Sequence, residues 1–195
     1  MPLRTTEWDI AAICLVPPGN IARELAAFKR RLFRATGDAL SLAFPETAVL
    51  LAAPWAPGLD SRDGRRRTRA VLGSAWPYME GQFRPGRPAL ASGWLVLPME
   101  GLPPILLERA SAALGEGKPS SDVPFPLLPS FPLFPVRDST GDLAAVEGAS
   151  PPALAFGVAD LALFRFRVSE GRRALAWTSI VSVRRRRGRR TAGGL

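Results

Sequence analysis

Arginine is the residue type with the most chemistry to offer in this 195-residue sequence. It is concentrated in two places. Arg62, Arg65, Arg66, Arg67 and Arg69 form one cluster, and Arg184, Arg185, Arg186 and Arg187 open a second that continues at Arg189 and Arg190. A guanidinium is always charged and presents a planar fork of donors that matches phosphate oxygens. The first cluster follows Trp55 and precedes Trp76 and Tyr78, a mixture of charge and stacking surface that suits single-stranded nucleic acid. If the six charges of the second cluster all met single-strand phosphates, log affinity would fall with log salt with a slope on the order of −4.

The absent residues exclude more than the present ones suggest. There is no histidine, so Ser-His-Asp hydrolysis, Cys-His proteolysis, histidine-bearing zinc sites and imidazole acid/base catalysis are all excluded. The single cysteine, Cys14, cannot form a disulfide within the chain or a cysteine-cluster metal site. It lies in the apolar run 10–16, where a buried, inert thiol is expected. Gly115-Glu116-Gly117-Lys118-Pro119 lacks the spacing of a phosphate-binding loop, and no GxGxxG occurs. Neither a metal nor a cofactor is expected. Asp9 and Asp160 read as strand-end or loop carboxylates.

The charge is +9, from 26 basic and 17 acidic residues. Only Lys29 and Lys118 are lysine, and Arg, Ala, Gly and Pro are all abundant. That pattern reflects GC-rich coding and discounts part of the charge signal. Hydrophobic residues make up 47% of the chain, enough for a substantial core. No apolar stretch approaches the ~18 residues of a transmembrane span. Residues 1–20 do not read as a secretory signal, so a cytoplasmic location is expected.

These candidates need elements to hold them. The run 10–16, closed by Pro17-Pro18-Gly19, reads as a buried strand. Asn20 reads as the N-cap of a helix whose apolar face is Ile21, Leu25, Phe28 and Leu32, spaced four, three and four. Lys29, Arg30 and Arg34 fall away from that face, and Gly37 stops the helix. The segment 39–53 reads as two extended pieces, or one bent strand, around Pro45. Residues 54–70 read as a loop, or a loop leading into a short helix, and 71–90 as short strands or a meander. Then 93–98 is a strand, Pro103-Pro104 opens a helix that Gly115 ends, and the Pro-punctuated 125–136 is an edge or bent strand. Residues 137–153 read as a loop. Strands at 156–168 and 174–183 follow, joined by a Glu170-Gly171 turn. The expected class is therefore α+β, in which each half is a strand-helix-strand unit with additional antiparallel strands.

That order resembles the 2H phosphoesterase superfamily, which includes the 2'-5' RNA ligase-like proteins and cyclic phosphodiesterases. The residues carrying the resemblance are Ala12 to Pro18 and the helix Ile21 to Arg34, then Phe44-Pro45-Glu46-Thr47-Ala48-Val49-Leu50 and Gly93 to Gly101. Pro129-Ser130-Phe131-Pro132-Leu133 and Phe156 to Arg165, with a hairpin bearing Trp177, complete them. The resemblance covers roughly residues 8–183. It implies one two-lobed domain, with lobe one about 8–90 and lobe two about 91–183, and leaves 184–195 as a basic disordered tail.

The family's chemistry uses two histidines facing each other across a groove between the lobes, each followed two residues on by a hydroxyl. Here Glu46 and Ala48 stand at the first such pair, and Ser130 and Pro132 at the second. All four positions depart from the pattern. A glutamate base with an ordinary pKa of about 4.3 is poorly matched to neutral pH, and each general acid or base lost costs ~10²–10⁴-fold. The resemblance thus implies an inactive member retaining RNA or nucleotide binding through arginines. The alternative is a structural protein serving a protein partner, its groove filled by side chains such as Leu42, Phe131 and Pro132, with no nucleic-acid role. A weaker reading is new chemistry using Glu46 and Ser130. Membrane anchoring by the tail is disfavoured because no amphipathic helix adjoins it.

Overall fold

The structure is a computed structural model that describes residues 7–78, 83–115, 125–126, 128–136, 139–152, 155–156, 160–169 and 174–184. It is an α+β molecule built on one sheet. Strand β1 (Glu7–Val16) is closed by the two prolines and followed by helix α1 (Gly19–Thr36). The apolar stripe Ile21, Leu25, Phe28 and Leu32 is buried as its spacing predicts. Gly37 terminates the helix in the left-handed region (φ 69°), its N–H donating to the Phe33 carbonyl. Asn20 is not the cap. The helix starts two residues earlier, with Pro18 at the cap position and no side-chain cap bond.

The segment after Gly37 is not two extended pieces. Asp38 accepts from the Leu40 N–H and a short helix forms, α2 (Leu40–Ala43), before strand β2 (Ala48–Pro54). The first arginine cluster lies on a full helix, α3 (Arg62–Gly73), not in a loop. Ser61 caps it by accepting from the Gly64 N–H at 3.0 Å. A 3-10 turn at Trp76–Tyr78 and the short strands β3 (Arg84–Pro85) and β4 (Ala89–Ala91) follow.

Strand β5 (Trp94–Glu100) leads into helix α4 (Pro104–Leu114), opened by Pro103 and Pro104 and ended at Gly115 (φ 71°). Strand β6 (Ser130–Pro135) is central, not an edge, since it pairs with both β5 and β2. It tolerates Pro132 and Pro135 because its register with β2 is limited to Val49 opposite Ser130, so the prolines pair only towards β5. The stretch read as a loop contains helix α5 (Ser139–Gly148), docked on α1 through Val146 and Ala149. Arg31 of α1 donates to the Ala149 and Ser150 carbonyls at 3.0 and 3.3 Å. Strand β7 is Asp160–Ser169, and Phe156, at the start of the expected strand, bridges to Phe83, while 157–159 lie outside the described residues. Strand β8 (Ala174–Arg184) is its hairpin partner, although the turn at 170–171 lies outside the described residues.

The sheet order is β3-β5-β6-β2-β1-β7-β8, with β4 also on β5, and every pairing is antiparallel. The two expected strand-helix-strand units, β1-α1-β2 and β5-α4-β6, therefore stand side by side and meet at β2 and β6. Alternation along the strands splits the core in two. Ala11, Ile13, Leu15, Leu97, Phe131, Leu161 and Leu163 face the helices α1, α3 and α4. Ile10, Ala12, Cys14, Val49, Trp94, Val96, Phe164 and Phe166 form the other face. Among the described residues no helix is long and apolar enough to cross a membrane.

Candidate functional site

Of the positions expected to match the catalytic pairs, Ala48 and Ser130 lie on the neighbouring strands β2 and β6, whose one register pair is Val49 with Ser130. Ser130 is fully buried and donates from Oγ to the Leu128 carbonyl at 2.9 Å. Val49, not Ala48, is its register partner. Ala48 belongs to the helix-side core, so its side chain lies on the face opposite Ser130. Pro132, paired with Val96, shares the Ser130 face. Glu46 is half-buried in the turn before β2.

What lies on that face is aromatic. The Phe44 ring meets Trp94 edge-on at 5.2 Å between centroids, Phe125 at 5.5 Å and Phe166 at 5.9 Å. Phe125 and Phe166 are 5.1 Å apart, and Phe164 extends the cluster to Trp177. Such offset and tilted contacts follow the quadrupole preference of aromatic rings. Phe44, Phe125 and Phe166 are each buried, and Trp94 nearly so. Of the fillers expected from sequence, Pro132 is buried here, Phe131 is buried on the helix face, and Leu42 is 43% exposed.

Lys29 holds this plug in place. Its Nζ donates to the Phe44 and Pro45 carbonyls at 2.8 and 3.0 Å, and only 2% of the residue is exposed. Burial pushes its ammonium down to about 8, with the Glu46 carboxylate opposing the shift. The expectation that Lys29 points away from the apolar stripe is thus overturned. It lies four residues after Leu25 and three before Leu32, so it shares their side of the helix. Cys14 is buried beneath the same region, and burial pushes its thiol up to about 12, incompatible with a nucleophile at neutral pH.

The arginines of the first cluster stand on the opposite side of the sheet, since α3 packs through Leu72 into the helix-side core. Arg62, Arg65, Arg66, Arg67 and Arg69 are all exposed, and Arg66 pairs with Asp63 at 3.2 Å. Arg66 and Arg67 rim an open depression of about 640 Å³ between the 57–61 loop and the first turns of α3. Arg184 ends β8 and pairs with Asp160 at 3.4 Å. Arg185, Arg186 and Arg187 lie outside the described residues, as does the rest of the tail.

Sequence reasoning also missed a node at Arg165. Its guanidinium donates to both Asp9 carboxylate oxygens, reaches Asp60 at 3.4 Å, and stacks over Trp55 at 4.4 Å from the ring centroid. The Arg165 hydrogen bonds hold the Asp9 carboxyl below the usual carboxylate range. The node ties the 55–60 loop, which leads into α3, to β1 and β7. Among the described residues no cluster of His, Cys, Asp and Glu could hold a metal ion.

No family model matches the chain, and no curated protein matches it in sequence.

Proposed function

We propose that this chain is a non-catalytic interaction protein, similar in element order to the 2H phosphoesterases, whose groove is filled from within. The burial of Phe44, Phe125 and Phe166 against Trp94, on the face that Ser130 and Val49 share, carries this reading. A phosphodiester would have to displace these rings to reach Ser130, and would then meet neither an imidazole nor a cation. The nearby ammonium, Lys29, is occupied by two carbonyls. The absence of histidine supports the same conclusion.

The test is turnover of 2',3'-cyclic nucleotides by the full chain and by Glu46→Gln and Ser130→Ala. All three should match the uncatalysed blank. Turnover by the wild type that is lost in Glu46→Gln would establish new chemistry at this seam and sink the proposal.

A second reading keeps RNA or a nucleotide as the partner. The exposed arginines of α3 favour it. It places binding on the outer helix layer, so single-stranded RNA would bind without hydrolysis and weaken with salt.

A further inference from the structure

The two edges of the sheet are built differently. At one edge β3 and β4 are two and three residues long, with Pro85 and Pro88 beside them. Short strands and prolines of this kind block further pairing. At the other edge β8 runs for 11 residues, and from Ala174 to Val183 it carries no charge and no proline. Among the described residues no strand pairs with its outer side. A long uncharged edge presents a row of free backbone donors and acceptors, which proteins ordinarily guard against.

The two faces flanking this edge are chemically opposite. On the aromatic side Trp177 is 45% exposed, its Nε1 donating to the Ala43 carbonyl at 3.0 Å, and the neighbouring Leu42 is 43% exposed. On the helix side α3 lies over β7 and β8, whereas α4 lies over β1 and β2. Arg67 turns towards α4, its guanidinium beside Gly115. Arg62, Arg65 and Arg69, spaced three and four, occupy the opposite flank of α3. That flank faces away from α4, on a helix that itself packs against β8.

We propose that β8 is a docking edge for an extended segment of a partner protein in which apolar and acidic side chains alternate. The segment adds as the next strand, its apolar residues meeting Trp177 and Leu42, its acidic residues meeting Arg62, Arg65 and Arg69. Main-chain pairing supplies the affinity, and the alternation supplies the specificity. This deepens the interaction reading above and rests on it.

The test uses the full chain and three peptides about as long as β8, each N-methylated along one backbone edge to prevent self-assembly. One alternates valine with glutamate, one alternates valine with lysine, and one has the composition of the first in two blocks. The glutamate peptide should bind with salt-sensitive affinity and the other two at least about tenfold more weakly. Reversing the flank with Arg62→Glu, Arg65→Glu and Arg69→Glu should exchange the preference towards the lysine peptide. All three positions are exposed, so the fold should persist, and unchanged far-ultraviolet dichroism checks that. Trp177→Ala should weaken both alternating peptides.

Equal binding of the alternating and block peptides, or no binding, overturns strand addition and leaves the non-catalytic reading standing. Cyclic-nucleotide turnover would refute that reading without touching the peptide result. Binding of oligouridine but not peptide, lost on charge reversal, would assign the arginines to nucleic acid instead. Self-association abolished by Trp177→Ala would assign the edge to a second copy of this chain.

Discussion

Lys29 couples one side chain to the whole of the aromatic plug. Replacing it with methionine leaves the buried Phe44 and Pro45 carbonyls without a donor, so Lys29→Met should lose about 2 kcal/mol in urea denaturation at pH 9. The lysine also imposes a pH dependence. The unfolded chain holds its proton up to about 10.5, whereas the folded chain releases it near 8. Between these values the unfolded state binds more protons, so stability rises with pH, by about 3 kcal/mol over the full window. Cys14 acts oppositely. Its thiol ionises near 9.0 when unfolded and near 12 when buried, so stability falls above pH 9. The lysine rise should therefore appear alone between pH 8 and 9, and continue to about 10.5 in Cys14→Ala. A flat profile from pH 8 to 9 would mean that Lys29 is solvated. At the acid end the Asp9 carboxylate, held low by Arg165, contributes stability above its unfolded value and loses it as pH falls below. Because the pair is partly exposed, Arg165→Met should cost only about 1 kcal/mol at neutral pH and should flatten this acid limb.

At the scale of elements, the 38–47 segment and α3 decide what the molecule can do. The segment folds into α2 and then turns Phe44 inward, where it touches Trp94, Phe125 and Phe166. Phe44→Ala should cost about 4 kcal/mol, because the rings around it can collapse only partly into the space left. If truncation also admitted an anionic dye to the sheet face, the filled-groove reading would be strengthened. Helix α3 is set by an unusually close approach. A Cβ on Gly64 would stand 2.0 Å from the Gly58 carbonyl oxygen, so Gly64→Ala must displace the 57–61 loop. A loss of about 2 kcal/mol by thermal melting is expected. Such a helix offset should also weaken the acidic alternating peptide, since Arg62 and Arg65 lie in the same turns. The stripe of α1 and the Pro-to-Gly span of α4 could be read directly, because their signals are local and repeat every three or four residues. The helix α5 could not, because Leu143, Val146 and Ala149 acquire meaning only when α1 supplies a surface. The breadth of α3 was hidden by its arginines, which leave the buried side to Gly64, Thr68 and Leu72.

At the scale of the molecule, the two halves are interlocked rather than adjacent. Strand β7 comes from the C-terminal half, yet it pairs with β1 from Glu7 opposite Ser169 to Val16 opposite Asp160. The β2-β6 seam is narrow by comparison. Unfolding should therefore be one cooperative transition, with equal calorimetric and van't Hoff enthalpies. Two resolved transitions would mean that the halves are independent.

The sequence by itself determined the α+β class and the strand-helix-strand repeat, because both follow from local periodicity and from Pro and Gly punctuation. It also excluded histidine chemistry outright, since composition needs no fold. Tertiary structure alone decided where the arginines face, which rings occupy the Ser130 face, and that Lys29 is buried. Each of these depends on contacts between residues distant in the chain. Arg165 meets Asp9 across β1 and β7, and Phe44 meets Phe166 across most of the molecule. Spacing along the chain sets which side of an element a residue occupies. Only packing decides whether that side meets water, a helix or another ring.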